Sequence, residues 1–470
     1  MQKLVKTIRE AIELSGLKSG MTVSFHHHLR NGDYVLNMVM EEIASLGIRD
    51  LTLNASSVFA IHAPLVDHIK NHVVTTLQTD YMSGPVAKAI SEGVMENPVQ
   101  FRTHGGRPAD IARGETPVDV AFIAAPSSDP MGNCSGKFGK SACGSLGYAM
   151  PDAMYAKKVI VITDNLVAYP LPDWSISEDY VDYVVAVDAI GDANGIVSGT
   201  TKITRDPVGL VMAKTAAKMI QASGLLQNGF SFQTGAGGAS LATAKFLKEI
   251  MLKEGIRGSF GLGGITGYMV EMLEAGCFEK LMDVQCFDLD AVRSIREDPR
   301  HEEISAIHYA SPGAKSAVVN SLDVVILGAT EIDTDFNVNV HTDSNGYIMG
   351  GSGGHSDAAA GAKMSVIIAP MIRARLPIVT DRVNCISTPG KDIDVLVTQG
   401  GIAVNPARGD LRERFLAAKL PVVDMEELKA RTEAITGKPQ PIAKGSRVVA
   451  EVISRDGELL DRIYNVPTTV

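Results

Sequence analysis

Two glycine-rich stretches have the composition to hold an anion, or an oxygen that becomes one, on backbone N–H groups. In the first, Phe230, Ser231, Phe232 and Gln233 read as a short strand and Gly235 to Gly238 as a turn, and Ala239 to Glu254 reads as a helix with Leu241, Ala244, Leu247 and Met251 at helical spacing. A bare loop that opens a helix aims several N–H groups at one spot, and the helix dipole adds partial positive charge there. The second stretch, Asn345 to Ala362, carries six glycines together with His355 and Asp357 ahead of an alanine-rich helix, and has the same potential. A third loop, Phe101 to Asp110, sets Arg102, His104 and Arg107 around two glycines, a composition suited to clamping carboxylates because arginine offers paired donors. A solvated turn is the plain structural alternative for that loop.

The remaining chemistry-bearing patterns are weaker. Asp129 to Gly147 is rich in Gly, Ser and Lys and reads as a lid over a ligand at the carboxyl end of a strand. GLGGITG, Gly261 to Gly267, reads as a tight turn packed close to the first loop. His26, His27 and His28 are consecutive, so on an extended backbone their side chains alternate and cannot all face one ion. His68 and His72 fall at i and i+4 but lack the acidic partner of a zinc motif, and a solvated helix face is expected. No metal site is expected. Ser127, Ser128 and Ser141 lack a GxSxG elbow, so a hydrolase triad finds no support.

These loops need rigid elements on either side. Buried-strand candidates lie at Leu51 to Leu53, Val120 to Ala124, Lys158 to Thr163 and Tyr183 to Val187, most of them just after an acidic residue. They recur at Val324 to Leu327, Ser365 to Ala369 and Val395 to Thr398. Alternation with helical segments, among them Lys3 to Leu14, Asp33 to Leu46 and Pro207 to Gly224, is the habit of a mostly parallel sheet covered on both faces. Ser24-Phe25, a loop and MEEIASLGI parallel Ser231-Phe232, a loop and LKEIMLKEGI, which suggests two domains of related topology. The expected join lies near Gly224 to Gly229, giving domains 1–225 and 226–470. Asp456-Gly457, between alternating segments from Arg447 to Val466, signals a closing hairpin with a type I′ turn.

Bulk properties agree with this scale. A chain of 470 residues exceeds one ordinary core, and with 45% apolar but only 5% aromatic residues the packing must rest on aliphatic side chains. Lys and Arg number 44 against 54 Asp and Glu, a net charge of −10 that argues against nucleic acid and membrane surfaces as partners. Five cysteines without CxxC spacing fit reduced thiols. With no signal peptide and no long apolar run, a soluble cytoplasmic protein is expected.

Several long motifs, taken in order, resemble one family. VSFHHHLRNGDYVLNMVM, HAPLVDHI, the HGGR at His104, GSLGYA, FSFQTGAGGASLA, GGITGYMVEMLEAG, EIDTDFNVNV, SGGHSDAAAGAKMSVIIAP and VTQGGIAVNPAR are similar to the alpha subunit of bacterial citrate lyase, over nearly the whole chain from Leu14 to Asn465. The resemblance implies membership of the CoA-transferase superfamily: two tandem α/β domains with mostly parallel sheets and a site at their interface.

It also implies a reaction, citrate:acyl-carrier-protein transfer, in which acetyl thioester and citrate give citryl thioester and acetate. The thioester is carried on a phosphoribosyl-dephospho-CoA arm of a gamma subunit, citryl is cleaved by a beta subunit, and no tightly bound cofactor is implied. A homo-oligomer is expected. Free CoA or acetyl-CoA could substitute for the arm, and a CoA-transferase using free acyl-CoA with another carboxylate is the alternative enzyme. A non-catalytic anion sensor is the rival from another class.

By the same resemblance the backbones of Gly238, Ala239, Gly354 and His355 are the oxyanion donors. Gly235, Gly237, Gly353 and Ser356 contact the thioester arm, and Arg102, His104 and Arg107 take the citrate carboxylates. The donor clusters are expected from opposite halves of the chain. Many relatives form a glutamyl thioester on a glutamate whose motif aligns with GLGGITGYM, where this chain has none. Direct attack by the substrate carboxylate through a mixed anhydride is therefore implied. Glu331 matches a different motif and is expected to be structural.

Overall fold

The computed structural model describes residues 3–197, 202–235 and 237–467. Uninterrupted β-branched runs such as Val120–Ala125, buried at every position, form strands that need cover on both faces. They assemble into two large sheets. In the first, the chain starts at Thr22–Phe25 and steps outward through Leu51–Ala55, Val74–Thr79 and Val99–Phe101. It then returns to the other side of the starting strand for Val120–Ala125, Lys158–Thr163 and Tyr183–Ala186.

The second sheet repeats that path. From Ser231–Thr234 it runs outward through Gly258–Ile265, Phe278–Cys286 and His301–Glu303, then back to Val324–Leu327, Met364–Ile368 and Val395–Thr398. The pairings along both paths are parallel. The faint internal match between Ser24-Phe25 and Ser231-Phe232 thus marks equivalent strands. Each is the point where strand order reverses, and in an open parallel sheet the crevice beyond the carboxyl end of such a strand is where ligands sit.

Several local expectations change. Leu4–Val5 is a strand paired with Val184 and Val185, so the first helix is only Ile8–Ser15, where the Thr7 side chain accepts from the Glu10 N–H and Gly16 ends it in the left-handed region. GLGGITG is not a tight turn but the end of strand Gly258–Ile265, with a bulge at Gly263 and Gly264. His72 lies beyond helix Leu65–Lys70 with φ 55°, so it shares no helix face with His68. The closing hairpin, Val448–Ile453 with Leu459–Tyr464, turns differently from a type I′ turn. Only Gly457 has positive φ, and its N–H donates to the Ser454 carbonyl at 3.1 Å. That hairpin joins the first sheet, Ala450 to Val452 pairing parallel with Val99 to Phe101. The boundary at 225/226 therefore does not describe its place, because the edge strand Val99–Phe101 offers unpaired backbone groups that the chain terminus covers.

Asp129 to Gly147 is not a surface lid. Apart from Gly139 and Lys140 it is buried or half-buried, built around Asp129, whose carboxylate accepts from the N–H groups of Met131, Gly132, Asn133 and Leu171. Its end is wedged against the second sheet, where the Ala306 N–H donates to the Gly147 carbonyl at 2.9 Å. No helix among the described residues is long and apolar enough to cross a membrane.

Candidate active site

Both glycine loops meet at neighbouring strand ends of the second sheet. Gly235 follows Ser231–Thr234 and donates its N–H to the Ile326 carbonyl at 2.7 Å; Gly237 donates to the Gly235 carbonyl at 2.9 Å. The next two N–H groups, of Gly238 and Ala239, open helix Gly238–Glu254 and have no acceptor among the described residues. In the other loop Gly353 donates to the Asp80 carbonyl, His355 to the Ser352 carbonyl at 2.8 Å and Ser356 to the Ser352 hydroxyl at 3.3 Å. Gly354, which precedes helix His355–Gly361, has a backbone N–H with no acceptor among the described residues. Of the four expected oxyanion donors, Gly238, Ala239 and Gly354 therefore have N–H groups free of any acceptor among the described residues. The His355 amide is already committed.

The loops are coupled by side chains that the sequence did not single out. Gln233 Nε2 donates to the Tyr309 hydroxyl at 2.9 Å, and that hydroxyl lies 2.5 Å from where a Cβ on Gly354 would stand. His355 Nε2 donates to the Gly328 carbonyl at 2.9 Å, just past the strand that pairs with Ser231–Thr234. The donor clusters thus come from the same half of the chain, not from opposite halves. The sheet that carries one loop end also anchors the other.

The first half supplies the facing wall. His104 donates its backbone N–H to the Gly353 carbonyl at 2.9 Å, and its Nδ1 meets Asp80 Oδ2 at 2.9 Å. Nε2 then faces Gly353, where φ is 50° and a Cβ would come within 3.2 Å, so glycine is required. The His104 ring packs 4.3 Å from Tyr148 and 5.3 Å from His27, centroid to centroid. Below it, Asp357 accepts from Thr103 Oγ1 at 2.8 Å and from the Gly105 N–H at 2.9 Å, fastening the second loop to the first half. Burial lifts the Asp357 carboxyl to about 6 against the pull of Arg455.

The histidine triplet lies past the end of strand Thr22–Phe25, so side-chain alternation does not apply, and all three rings are buried. The His26 ring nitrogen Nε2 accepts from the Ala124 N–H at 2.8 Å, which leaves its proton on Nδ1, directed at His28 Nδ1. His28 Nε2 in turn lies 3.2 Å from the Tyr148 N–H, which donates to it. Burial pushes His26 down to about 4 and His27 and His28 well below the usual histidine range, so the cluster is neutral at pH 7. Gln285 of the second sheet donates to the His27 carbonyl at 3.0 Å and ties the cluster across the interface.

Two of the three expected citrate ligands are occupied by the protein itself. Arg107 is 3% exposed; its guanidinium grips Asp152 with two bonds of 2.9 and 2.8 Å, and Nε donates to Asn54 Oδ1 at 2.6 Å. Arg102 pairs with Asp110 at 2.9 Å and reaches Gln100 at 3.4 Å. Only His104 of that trio borders the glycine loops. Glu331, expected to be structural, accepts from Asn339 Nδ2 and the Asn384 N–H, both at 2.9 Å. Gln233 and Tyr148 fall inside FSFQTGAGGASLA and GSLGYA and Tyr309 outside every motif, and each is an ordinary core residue type until its neighbours are known.

Comparison with known proteins shows the family. Residues 1–466 match the family described as "Citrate lyase, alpha subunit". The citrate lyase alpha chain of Klebsiella pneumoniae is 50% identical over 465 residues, 99% of this chain and 92% of that one. The corresponding chain of Escherichia coli is 50% identical, covering 99% of this chain and 91% of that one. A crystal structure from Streptococcus mutans, described as an alpha subunit of citrate lyase in complex with citrate, superposes with TM-score 0.98 at 52% identity, over 100% of this chain and 92% of that one. The malonate decarboxylase alpha subunit of Acinetobacter baumannii, at 18% identity and TM-score 0.69 over 93% of this chain and 90% of that one, shares the fold. With the match running from end to end and the same architecture beneath it, this chain belongs to the citrate lyase alpha-subunit family.

Proposed function

We propose that this chain moves the thiol of an acyl carrier protein from acetate to citrate, by direct attack of the citrate carboxylate on the acetyl thioester. The observation that carries the reading is the set of backbone N–H groups on Gly238, Ala239 and Gly354 without an acceptor among the described residues, at adjoining strand ends beside the packed rings of His104 and Tyr148. As the carboxylate oxygen bonds to the thioester carbon, negative charge grows on the carbonyl oxygen. Each prepositioned donor stabilises that charge, at about 10²–10³ in rate. Collapse expels the thiolate and leaves an acetyl–citryl anhydride. The thiolate then attacks the citryl carbonyl, acetate departs, and atoms and charge balance without a metal or a base.

A glutamyl intermediate is not part of the proposal, since no glutamate occupies GLGGITGYM and the carboxylates at the wall are held by the protein. Asp80 is bonded to His104, and Asp357 to Thr103 and Gly105. The thioester is carried by a phosphoribosyl-dephospho-CoA arm on the gamma subunit, with Gly235, Gly237, Gly353 and Ser356 along its path, and citryl passes to the beta subunit. Labelled acetate released from an acetylated carrier protein on adding citrate tests the transfer. Borohydride or hydroxylamine treatment at partial turnover tests the route: no modified glutamate is expected, and a glutamyl adduct overturns direct attack. Activity with free acetyl-CoA but none with the acetylated carrier would favour a conventional CoA-transferase instead.

A further inference from the structure

We infer that Arg30 binds a non-reacting carboxylate of citrate and so sets the preference for a tricarboxylate over acetate. The inference rests on the transferase reading above. Citrate carries about three negative charges at neutral pH, only one of them on the attacking group. Arg107 is spent on Asp152 and Arg102 is paired with Asp110, so a cation without a carboxylate partner is better suited to meet the rest. Arg30 has no carboxylate partner among the described residues, and none of the undescribed positions is Asp or Glu. Among the described residues its guanidinium makes one hydrogen bond, from Nη1 to the Ile196 carbonyl at a long 3.4 Å.

Its setting is a held guanidinium rather than a surface arginine. The guanidinium carbon stands 5.5 Å from the Phe59 ring centroid and 5.1 Å from that of Phe287, one aromatic from each half of the chain. Burial lowers its pKa, the mark of a cation removed from water without an anion beside it. The backbone is at φ 52°, a left-handed value that side-chain-bearing residues seldom adopt. Three turn bonds hold it there: the N–H groups of Arg30, Gly32 and Asp33 donate to the carbonyls of His27, Leu29 and Arg30.

From Arg30 a run of packed side chains leads toward each glycine loop. Phe59 packs 6.1 Å from His27, which packs 5.3 Å from His104 over Gly353. Phe287 packs so tightly on Gly264 that a Cβ there would lie 2.2 Å from its ring, and the adjacent Gly263 faces the side chain of Gln233. A carboxylate on the guanidinium would lie beside the aromatic rings through which Arg30 is linked to both loops.

The test compares citrate with acetate as acceptors for the full chain and acetylated carrier protein, acetate being followed by label exchange into the thioester. Arg30→Asn suits the left-handed backbone and removes the charge. Its KM for citrate is expected to rise about 10–100-fold, the loss typical of a charged hydrogen-bond pair, and its citrate-over-acetate ratio of kcat/KM to fall at least about tenfold. Arg30→Lys, which keeps the charge without the fork, should recover part of the ratio, and it carries the test if Arg30→Asn does not fold. A ratio within about twofold of wild type, or equal losses with both acceptors, overturns the assignment. If wild type itself fails to use citrate, the transferase reading falls. Calorimetric citrate binding to wild type and Arg30→Asn then decides Arg30 separately, equal affinity refuting it.

Discussion

Replacing Arg107 by methionine separates a structural arginine from a substrate ligand. The side chain is 3% exposed and Asp152 is fully buried; the substitution removes both bonds to that carboxylate and the two to Asn54. What remains is an uncompensated carboxylate inside the first half, and breaking one partner of such a pair costs about 3–5 kcal/mol. Arg107→Met should therefore lower the urea midpoint and the melting temperature by several degrees, while the KM for citrate of the protein that remains folded stays near wild type. Pairing it with Asp152→Leu should recover most of the stability, because a buried ion pair and a well-packed apolar pair of similar size differ little. Urea unfolding and citrate kinetics on both variants form the assay. A large rise in citrate KM with unchanged stability would show that Arg107 meets the substrate, and the reasoning from its buried partners would be refuted.

Three further outcomes follow from the same geometry. Asp357, raised to about 6 by burial, holds a proton in the folded chain that the unfolded chain releases near 3.8. Its share of stability, about 3 kcal/mol, is full below the lower value and lost as pH rises through the upper one. Asp357→Asn should flatten that slope in urea midpoints measured between about pH 4 and pH 7. Gly354→Ala drives a methyl to 2.5 Å from the Tyr309 hydroxyl, so it should cost about 1–3 kcal/mol and lower kcat more than it raises KM; adding Tyr309→Phe should restore part of the loss in a coupled transfer assay. All five cysteines are buried, and burial pushes the Cys134, Cys143, Cys286 and Cys385 thiols up. A thiol reagent such as dithionitrobenzoate should react with none of them until denaturant is added.

The sequence by itself determined the elements and where chemistry could gather. Alternating buried strands and helices announced two parallel sheets, and the paired strand–loop–helix pattern at Phe25 and Phe232 located both reversal points. These are local signals: period, breakers and the conformational freedom of glycine act within a few residues of one another. Partnership is not local. Whether an arginine is spent or available depended on Asp152, 45 residues from Arg107, and on Arg30 having no carboxylate partner among the described residues. The lid at Asp129 to Gly147 became an interior wedge because its polar groups satisfy one another. The C-terminal hairpin crossed to the first sheet because an open edge at Val99–Phe101 accepted it. Only tertiary structure could decide these points. A charge or an edge takes its role from whatever the rest of the chain brings within about 4 Å, and neither composition nor spacing specifies that neighbour.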